Sequence, residues 1–497
     1  MTTTERPYSR YANWKDEYKS RLKSLDEAME VIKSGDLVGV SILLPTVLAM
    51  AFHKRALQLE RVDIRFLAPR EAFLFGDERP NGEKEIEIFI GDGIRPAHDA
   101  KIATYLPNTF MLGMKAFDSG REEARMPDVY LTAVSPPNEQ GYVHFGPHMW
   151  TKKAYSKRAK HVIAVVDPNM TQVFGDVWMH VSEIDTFIEG VIKPVDRAAI
   201  RRRVETEAPP ENRDALLDIL EKASDEQLAL TEEVFHQMPP SLLYQALGQS
   251  EVDPAAQAIA DNLRQLIRDG DTIQVGVGEP SSLMFKAGAF DDAKHLGLHT
   301  ELGSPGLAKL WERGILDGSM KTIHRGKAVA VAWTGCSAED LKIIANNPAF
   351  ELYDPDFLLN PRYMSQNRNM TSINSAVAVD LLGQIASECR FGGHMINGTG
   401  GQPDTHISAM LSPGGRAITV MRSTALDGTI SKIVARHEAG TLVTIPRYLA
   451  DTIVTEYGVA RLLDKNHRQR ADELISIAHP DFRAELRREA EQLVGKL

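Results

Sequence analysis

Apolar positions along this chain fall into short β-branched runs separated by stretches at helical spacing. Val162-Ile-Ala-Val-Val166 and Ala328-Val-Ala-Val-Ala332 are continuous apolar runs of strand length. Before the second of these, Ile259, Leu263, Leu266 and Ile267 recur at helical spacing behind Asp253-Pro254, a cap followed by a first-turn proline. Gly270 predicts the stop of that helix, as Gly35 does for a helix opened by the capping-box pattern Ser24-Leu-Asp-Glu27. Fully apolar strands alternating with helices predict an α/β fold with largely parallel sheets flanked by helices.

The pattern occurs twice. Ile32-Lys-Ser-Gly35-Asp36-Leu-Val-Gly-Val40 aligns with Ile267-Arg-Asp-Gly270-Asp271-Thr-Ile-Gln-Val275 at an offset of 235 residues. Ile32, Gly35, Asp36, Val40, Pro45 and Leu48 meet identical residues at that offset. Each copy reads as helix, glycine stop, apolar strand, turn, helix, so the two halves are expected to be a diverged internal repeat. Between them, Asp196 to Pro240 is rich in charge and proline, and Leu216, Leu217, Ile219 and Leu220 predict a helix within it. The expected division is residues 1–225 and 226–497. Ile64-Arg-Phe-Leu67 is the counterpart of Leu298-His-Thr-Glu301, so leucine stands in the first copy where the second has a glutamate.

Composition narrows the function. The 497 residues are 43% hydrophobic and 25% charged, ordinary for a globular protein with a large core. A net charge of −11 argues against a nucleic-acid footprint. Two cysteines, Cys336 and Cys389, are too few for a disulfide framework and fit a reducing compartment. The first residues are polar, without the apolar core of a signal peptide. The apolar run Leu37 to Phe52 is broken by Ser41 and Pro45, short of the roughly 18 residues a span requires. A cytoplasmic protein with no membrane segment is expected.

The chemistry concentrates in the second half. Leu296-Gly-Leu-His-Thr-Glu301 is a short apolar strand ending on a carboxylate, followed by the turn Gly303-Ser-Pro-Gly306. In open α/β sheets ligands bind beyond the carboxyl ends of strands. Upstream lies Gln274-Val-Gly276-Val-Gly278-Glu-Pro280, and downstream Asn397-Gly398-Thr-Gly400-Gly401-Gln402. Glycine loops let backbone N–H groups converge on an oxyanion, and a glutamate can attack a thioester. The plain alternative for Glu301 is a solvated carboxylate at a strand end. A dinucleotide fingerprint is weakened because Ser281 replaces its third glycine, and the Gly398 loop lacks the Gly-Lys-Ser/Thr ending of a nucleotide P-loop. His144, His148, His180, His394 and His406 make no metal pattern, since Gly146-Pro147 breaks any helix between the first pair. No Gly-x-Ser-x-Gly elbow occurs. Cys389 reads as a small structural residue and Glu456 as a structural carboxylate.

These segments resemble the acetyl-CoA hydrolase/transferase family, which includes 4-hydroxybutyrate and butyrate CoA-transferases. The resemblance rests on Leu296–Glu301, Ile373-Asn-Ser-Ala-Val-Ala-Val-Asp-Leu-Leu-Gly-Gln384, Gly398-Thr-Gly-Gly-Gln-Pro-Asp404, Ile453–Ala460 and Ile475–Arg483. Val134–Tyr142 and His180-Val-Ser-Glu-Ile-Asp185 extend it into the first half. It implies two CoA-transferase-type α/β domains, a homodimer or higher oligomer, and acyl-CoA with a small carboxylate as substrates, without a tightly bound cofactor or metal. It also implies Glu301 as the nucleophile of a ping-pong reaction through a glutamyl-CoA thioester, with Gly276, Gly278, Gly398, Gly400 and Gly401 around the oxyanion and CoA. Three positions depart from the family pattern: Pro305 after Glu301, Thr405 where an aromatic is usual, and Pro280 where an N–H near the oxyanion is expected. Proline has no N–H, so Glu279, Ser281 or the Gly400-Gly401 loop would have to supply the donor. Acyl-CoA hydrolysis on the same scaffold and a catalytically silent CoA- or nucleotide-binding protein are the alternatives. Arg70 and Arg325 are candidates for a second carboxylate of the acid.

Overall fold

The computed structural model describes residues 13–66, 86–88, 95–229, 235–240, 243, 251–389 and 393–496. Two large sheets organise it. Across the first lie Thr186–Ile188, His161–Val166, Val129–Val134, Leu37–Val40, Asp63–Phe66, Ile86–Ile88 and Ala103–Tyr105. Their pairings are all parallel. Across the second lie Gly458–Arg461, Thr452–Thr455, Arg416–Val420, Met370–Ser375, Thr272–Val275, Gly297–His299, Ala328–Ala330, Phe350–Leu352 and Phe174–Gly175. Here only the hairpin of Thr452–Thr455 with Gly458–Arg461 is antiparallel. The central strands are buried on both faces, as their unbroken apolar runs require.

The repeat is visible in strand order and in single hydrogen bonds. Leu37–Val40 lies between Val129–Val134 and Asp63–Phe66, and Thr272–Val275 lies between Met370–Ser375 and Gly297–His299. Gly35 and Gly270 both take positive φ, of 92° and 76°, in the turn before these strands. The Asp36 carboxylate accepts the Lys33 N–H at 2.8 Å, and Asp271 accepts the Arg268 N–H at 2.9 Å. Leu37 pairs with Asp63 and Thr272 with Gly297. Leu67, the expected counterpart of Glu301, and Arg70 lie outside the described residues.

Two helix ends differ from expectation. The first helix is Leu25–Met29, with its capping box formed by Ser24 and Glu27, and it stops short of Gly35. The second, Pro254–Arg264, is capped by Asp253 and stops short of Gly270. The aspartate bonds to Lys33 and Arg268 explain this, because a side chain that takes a backbone N–H offers the chain an alternative to the helix. The segment between the halves is also more ordered than one helix. Arg197–Glu207, Arg213–Lys222 and Asp225–Ala229 are helical, and Ile200, Val204, Leu216, Ile219, Leu220 and Phe235 form a core of their own.

The halves are joined through the second sheet. Phe174–Gly175, from the first half, pairs in parallel with Phe350–Leu352 at its edge. Met149 N–H donates to Val331 O at 2.9 Å, and Trp333 N–H to Pro147 O at 2.7 Å. The apolar run Leu37 to Phe52 divides into the strand Leu37–Val40 and the helix Thr46–Ala56. Among the described residues no helix is long and apolar enough to cross a membrane.

Candidate active site

Glu301 follows the strand Gly297–His299 at its carboxyl end. The peptide around it is held from three sides. Its carbonyl accepts N–H groups of Val331 and Ala332 at 2.9 and 3.1 Å. The Thr300 hydroxyl lies 3.2 Å from Val275 O and 3.3 Å from Val275 N on the neighbouring strand. His299 is buried, with Nε2 donating to Leu358 O at 2.8 Å and the Asn367 amide nitrogen 3.1 Å from Nδ1. Burial, followed by the nearby Lys321 charge, holds that imidazole well below its ordinary range, so it is a neutral structural group.

The Glu301 side chain is not a solvated strand-end carboxylate, for only 9% of the residue is exposed. Burial pushes its carboxyl up to about 8, and the neighbouring Asp404 charge adds to that. The Gly401 backbone N–H favours the anion and opposes the shift. The approach of Gly401 is very close: a Cβ there would lie 2.3 Å from Glu301 Oε2 and 3.2 Å from Leu359 Cδ1. Gly400 makes this possible by turning the chain at φ 61° just before the helix Gln402–Leu411. Gly401 therefore places the amino end of that helix on the carboxylate, where N–H donors and the helix dipole favour an anion.

The other glycine loop lies one strand away. Gly276 N–H bonds to Ile373 O at 2.8 Å and a Cβ at Gly276 would lie 2.6 Å from Asn374 Oδ1, so this glycine serves close backbone packing. The hydroxyls of Ser281 and Ser375 lie 2.7 and 2.8 Å from Gly278 O and 2.9 Å from each other. Ser281 N–H donates to Ser375 Oγ at 3.1 Å, so among the donors considered around Pro280 it is already occupied. Gly398 N–H is taken by the Asn397 side chain at 2.8 Å. Beneath both loops, the Gln274 and Asn374 amides bond reciprocally at 3.1 Å, and the Asn374 amide nitrogen also reaches Thr405 Oγ1 at 3.1 Å. Thr405 is fully buried in that ladder.

Of the expected group, the structure thus brings Gly401 against Glu301, while Gly276, Gly278 and Gly398 shape the adjoining loops. Arg325 is exposed, bonded to Ser319 O at 2.7 Å, and precedes the strand Ala328–Ala330 at the sheet's opposite end from Glu301. Cys389 is buried, its sulfur takes the Leu442 N–H at 3.2 Å, and burial pushes the thiol up. Glu456 accepts the Ser423 N–H at 2.9 Å and its hydroxyl at 2.6 Å, a structural role. Among the described residues no three His, Cys, Asp or Glu side chains converge to hold a metal ion. Asp404 is the residue that the sequence did not single out. It was visible only as part of the Gly398–Asp404 segment, and nothing in the local pattern announces that its carboxylate is buried beside Glu301.

Comparison with known proteins fits this geometry. The acetyl-CoA hydrolase/transferase N-terminal domain model matches residues 6–196 and the corresponding C-terminal domain model matches residues 338–490. The chain is 34% identical to a 4-hydroxybutyrate coenzyme A transferase of Clostridium kluyveri, over 96% of this chain and 98% of that protein. It is 32% identical to a succinyl-CoA:cyclohexane-1-carboxylate CoA transferase of Geobacter metallireducens, over 97% of each chain. The crystal structure of 4-hydroxybutyrate CoA-transferase from Porphyromonas gingivalis superposes with a TM-score of 0.68 at 27% identity, covering 97% of this chain and 100% of that one. The chain belongs to the acetyl-CoA hydrolase/transferase family.

Proposed function

We propose that this protein transfers CoA from an acyl-CoA to a small carboxylic acid, with Glu301 as the covalent relay. One observation carries the reading: Glu301 is a buried carboxylate at a strand's carboxyl end, with the Gly401 backbone that opens a helix packed against it. Full-length similarity to CoA-transferases that use different acids supports the reaction class.

The ionised Glu301 oxygen attacks the thioester carbon. The C–S bond breaks and CoA leaves as its thiolate, giving an acyl-glutamyl anhydride. The thiolate then attacks the glutamyl carbonyl, and the original acid departs as a carboxylate, leaving a glutamyl-CoA thioester. An incoming carboxylate reverses the two steps and restores Glu301. No proton is gained or lost over the cycle. When the glutamyl carbon is attacked, its oxygen takes up negative charge, and the Gly401 N–H is the donor positioned for that oxygen. Such a donor typically contributes about 100- to 1000-fold in rate.

Intact mass after incubation with acetyl-CoA or succinyl-CoA, with and without borohydride, tests the reading. A covalent CoA adduct that borohydride removes and Glu301→Ala lacks is the expected result. Free CoA release without an adduct, and without dependence on an acceptor acid, would instead favour acyl-CoA hydrolysis. Absence of both across a panel of acyl-CoAs sinks the nucleophile assignment.

A further inference from the structure

Two carboxylates bracket one helix turn. The helix Gln402–Leu411 opens at Gly401, whose backbone lies against Glu301, and Asp404 lies three residues further on with its side chain fully buried. Asp404 Oδ2 accepts the Met111 N–H at 3.1 Å, from a residue 293 positions away in the first half. The Phe110 N–H and the Thr109 hydroxyl also favour its anion. Its other oxygen is sealed from solvent and takes no well-aligned hydrogen bond among the described residues.

The contacts close into a ring. The turn Phe110–Leu112 packs on the helix Pro355–Leu358, and the Phe110 ring lies 5.6 Å from Trp150. Leu359, which follows that helix, lies against Gly401. His299, two residues before Glu301, donates to Leu358 O. Turn, Asp404, helix, Gly401, Glu301 and Leu359 therefore constrain one another.

We infer that Asp404 is a positioning residue for Glu301: it clamps the helix to the Phe110–Leu112 turn so that the Gly401 backbone stays on the nucleophile, and it sets a second carboxylate one helix turn from that contact. This rests on the reading of Glu301 as the nucleophile. The electrostatics agree. Burial pushes Asp404 up to about 7, and Glu301 reaches about 8 from burial together with the Asp404 charge. Among the described residues no other charged group acts appreciably on Glu301: Val331 and Ala332 offer only backbone, and Leu359 is apolar. The turn facing Asp404 offers N–H and hydroxyl groups without charge, and His406 on the same helix is committed to Leu449 O.

The test is a difference infrared titration of the protonated-carboxyl stretch, wild type minus Glu301→Gln, on the full chain. It is repeated in an Asp404→Asn background, where the amide oxygen still accepts the Met111 N–H. Glu301 is expected to lose its proton near pH 8 in the wild type and about one unit lower in Asp404→Asn. The acid limb of kcat/KM is expected to move by the same amount. Identical Glu301 titrations in both backgrounds overturn the inference. If Asp404→Asn does not fold, Asp404→Glu decides. It keeps the charge but not the reach, so the Glu301 titration holds its wild-type position while kcat falls about tenfold or more. An unchanged kcat there overturns the clamp. The infrared reading needs no turnover, so a chain without CoA transfer sinks the proposed function while Asp404 is judged on its own data.

Discussion

At the residue scale, the pocket around Glu301 works against folding and for chemistry. Its carboxyl is raised from 4.5 in the free residue to about 8. An acid whose pKa is raised on folding holds more protons in the native state than in the unfolded one. It therefore lowers stability progressively as pH rises from about 4.5 to about 8. Glu301→Gln removes that cost. Its unfolding free energy is expected to exceed that of the wild type by a margin that grows from pH 5 to pH 8, reaching about 1–3 kcal/mol. The same substitution is expected to lower transfer activity by at least about 1000-fold. In the proposed mechanism only the ionised carboxylate attacks, so wild-type kcat/KM should fall about tenfold for each pH unit below the Glu301 pKa, as a pH–rate profile would register. Gly401→Ala would place a methyl 2.3 Å from Glu301 Oε2. About a 100-fold lower kcat/KM with little change in melting temperature is expected, and wild-type kinetics in that variant would contradict the close approach.

At the element scale, the repeated turn serves as an internal control. Asp36 and Asp271 each take a backbone N–H three residues upstream in their own copy. Asp271 is also fully buried and ion-paired with Arg416, whose own side chain is largely buried. Asp36 is half-buried, with its carboxylate on an exposed turn. Removing one partner of a buried pair leaves the other without compensation. Asp271→Ala is therefore expected to cost about 3–5 kcal/mol, and Asp36→Ala about 0.5–1.5 kcal/mol, measured by denaturant unfolding. Equal costs would mean that Arg416 finds another partner. Helices and strands at this scale were legible, because periodicity, the Asp253-Pro254 cap and the Ser24–Glu27 capping box act locally. The exact ends were not, since Lys33 and Arg268 leave the helical path to bond the side chains of Asp36 and Asp271.

At the scale of the whole molecule, the halves share a sheet edge as well as an ancestry of pattern. Gly175 pairs beside Leu352 at φ 114°, and a Cβ there would lie 2.2 Å from the Leu352 carbonyl oxygen. Backbone on both sides leaves no flexible group to give way. Gly175→Ala is expected to lower the melting temperature and to open the junction near residues 170–176 to limited proteolysis, at a cost of about 2–4 kcal/mol. Retention of wild-type protease resistance would show that this strand is dispensable to the joint.

By itself the sequence determined the parts whose cause is local or periodic. These are the apolar strands, the repeat at Gly35-Asp36 and Gly270-Asp271, the glutamate that only the second copy carries, and the motifs that resemble a family. Glu301 was legible because a lone carboxylate closing an apolar strand is locally anomalous. The tertiary structure alone decided what surrounds it. Gly401 comes from 100 residues downstream, and the Met111 turn that holds Asp404 from the other half of the chain. Burial, charge proximity and hydrogen bonding act through space, so the state of the Glu301 carboxyl belongs to the packing of these segments rather than to any run of residues.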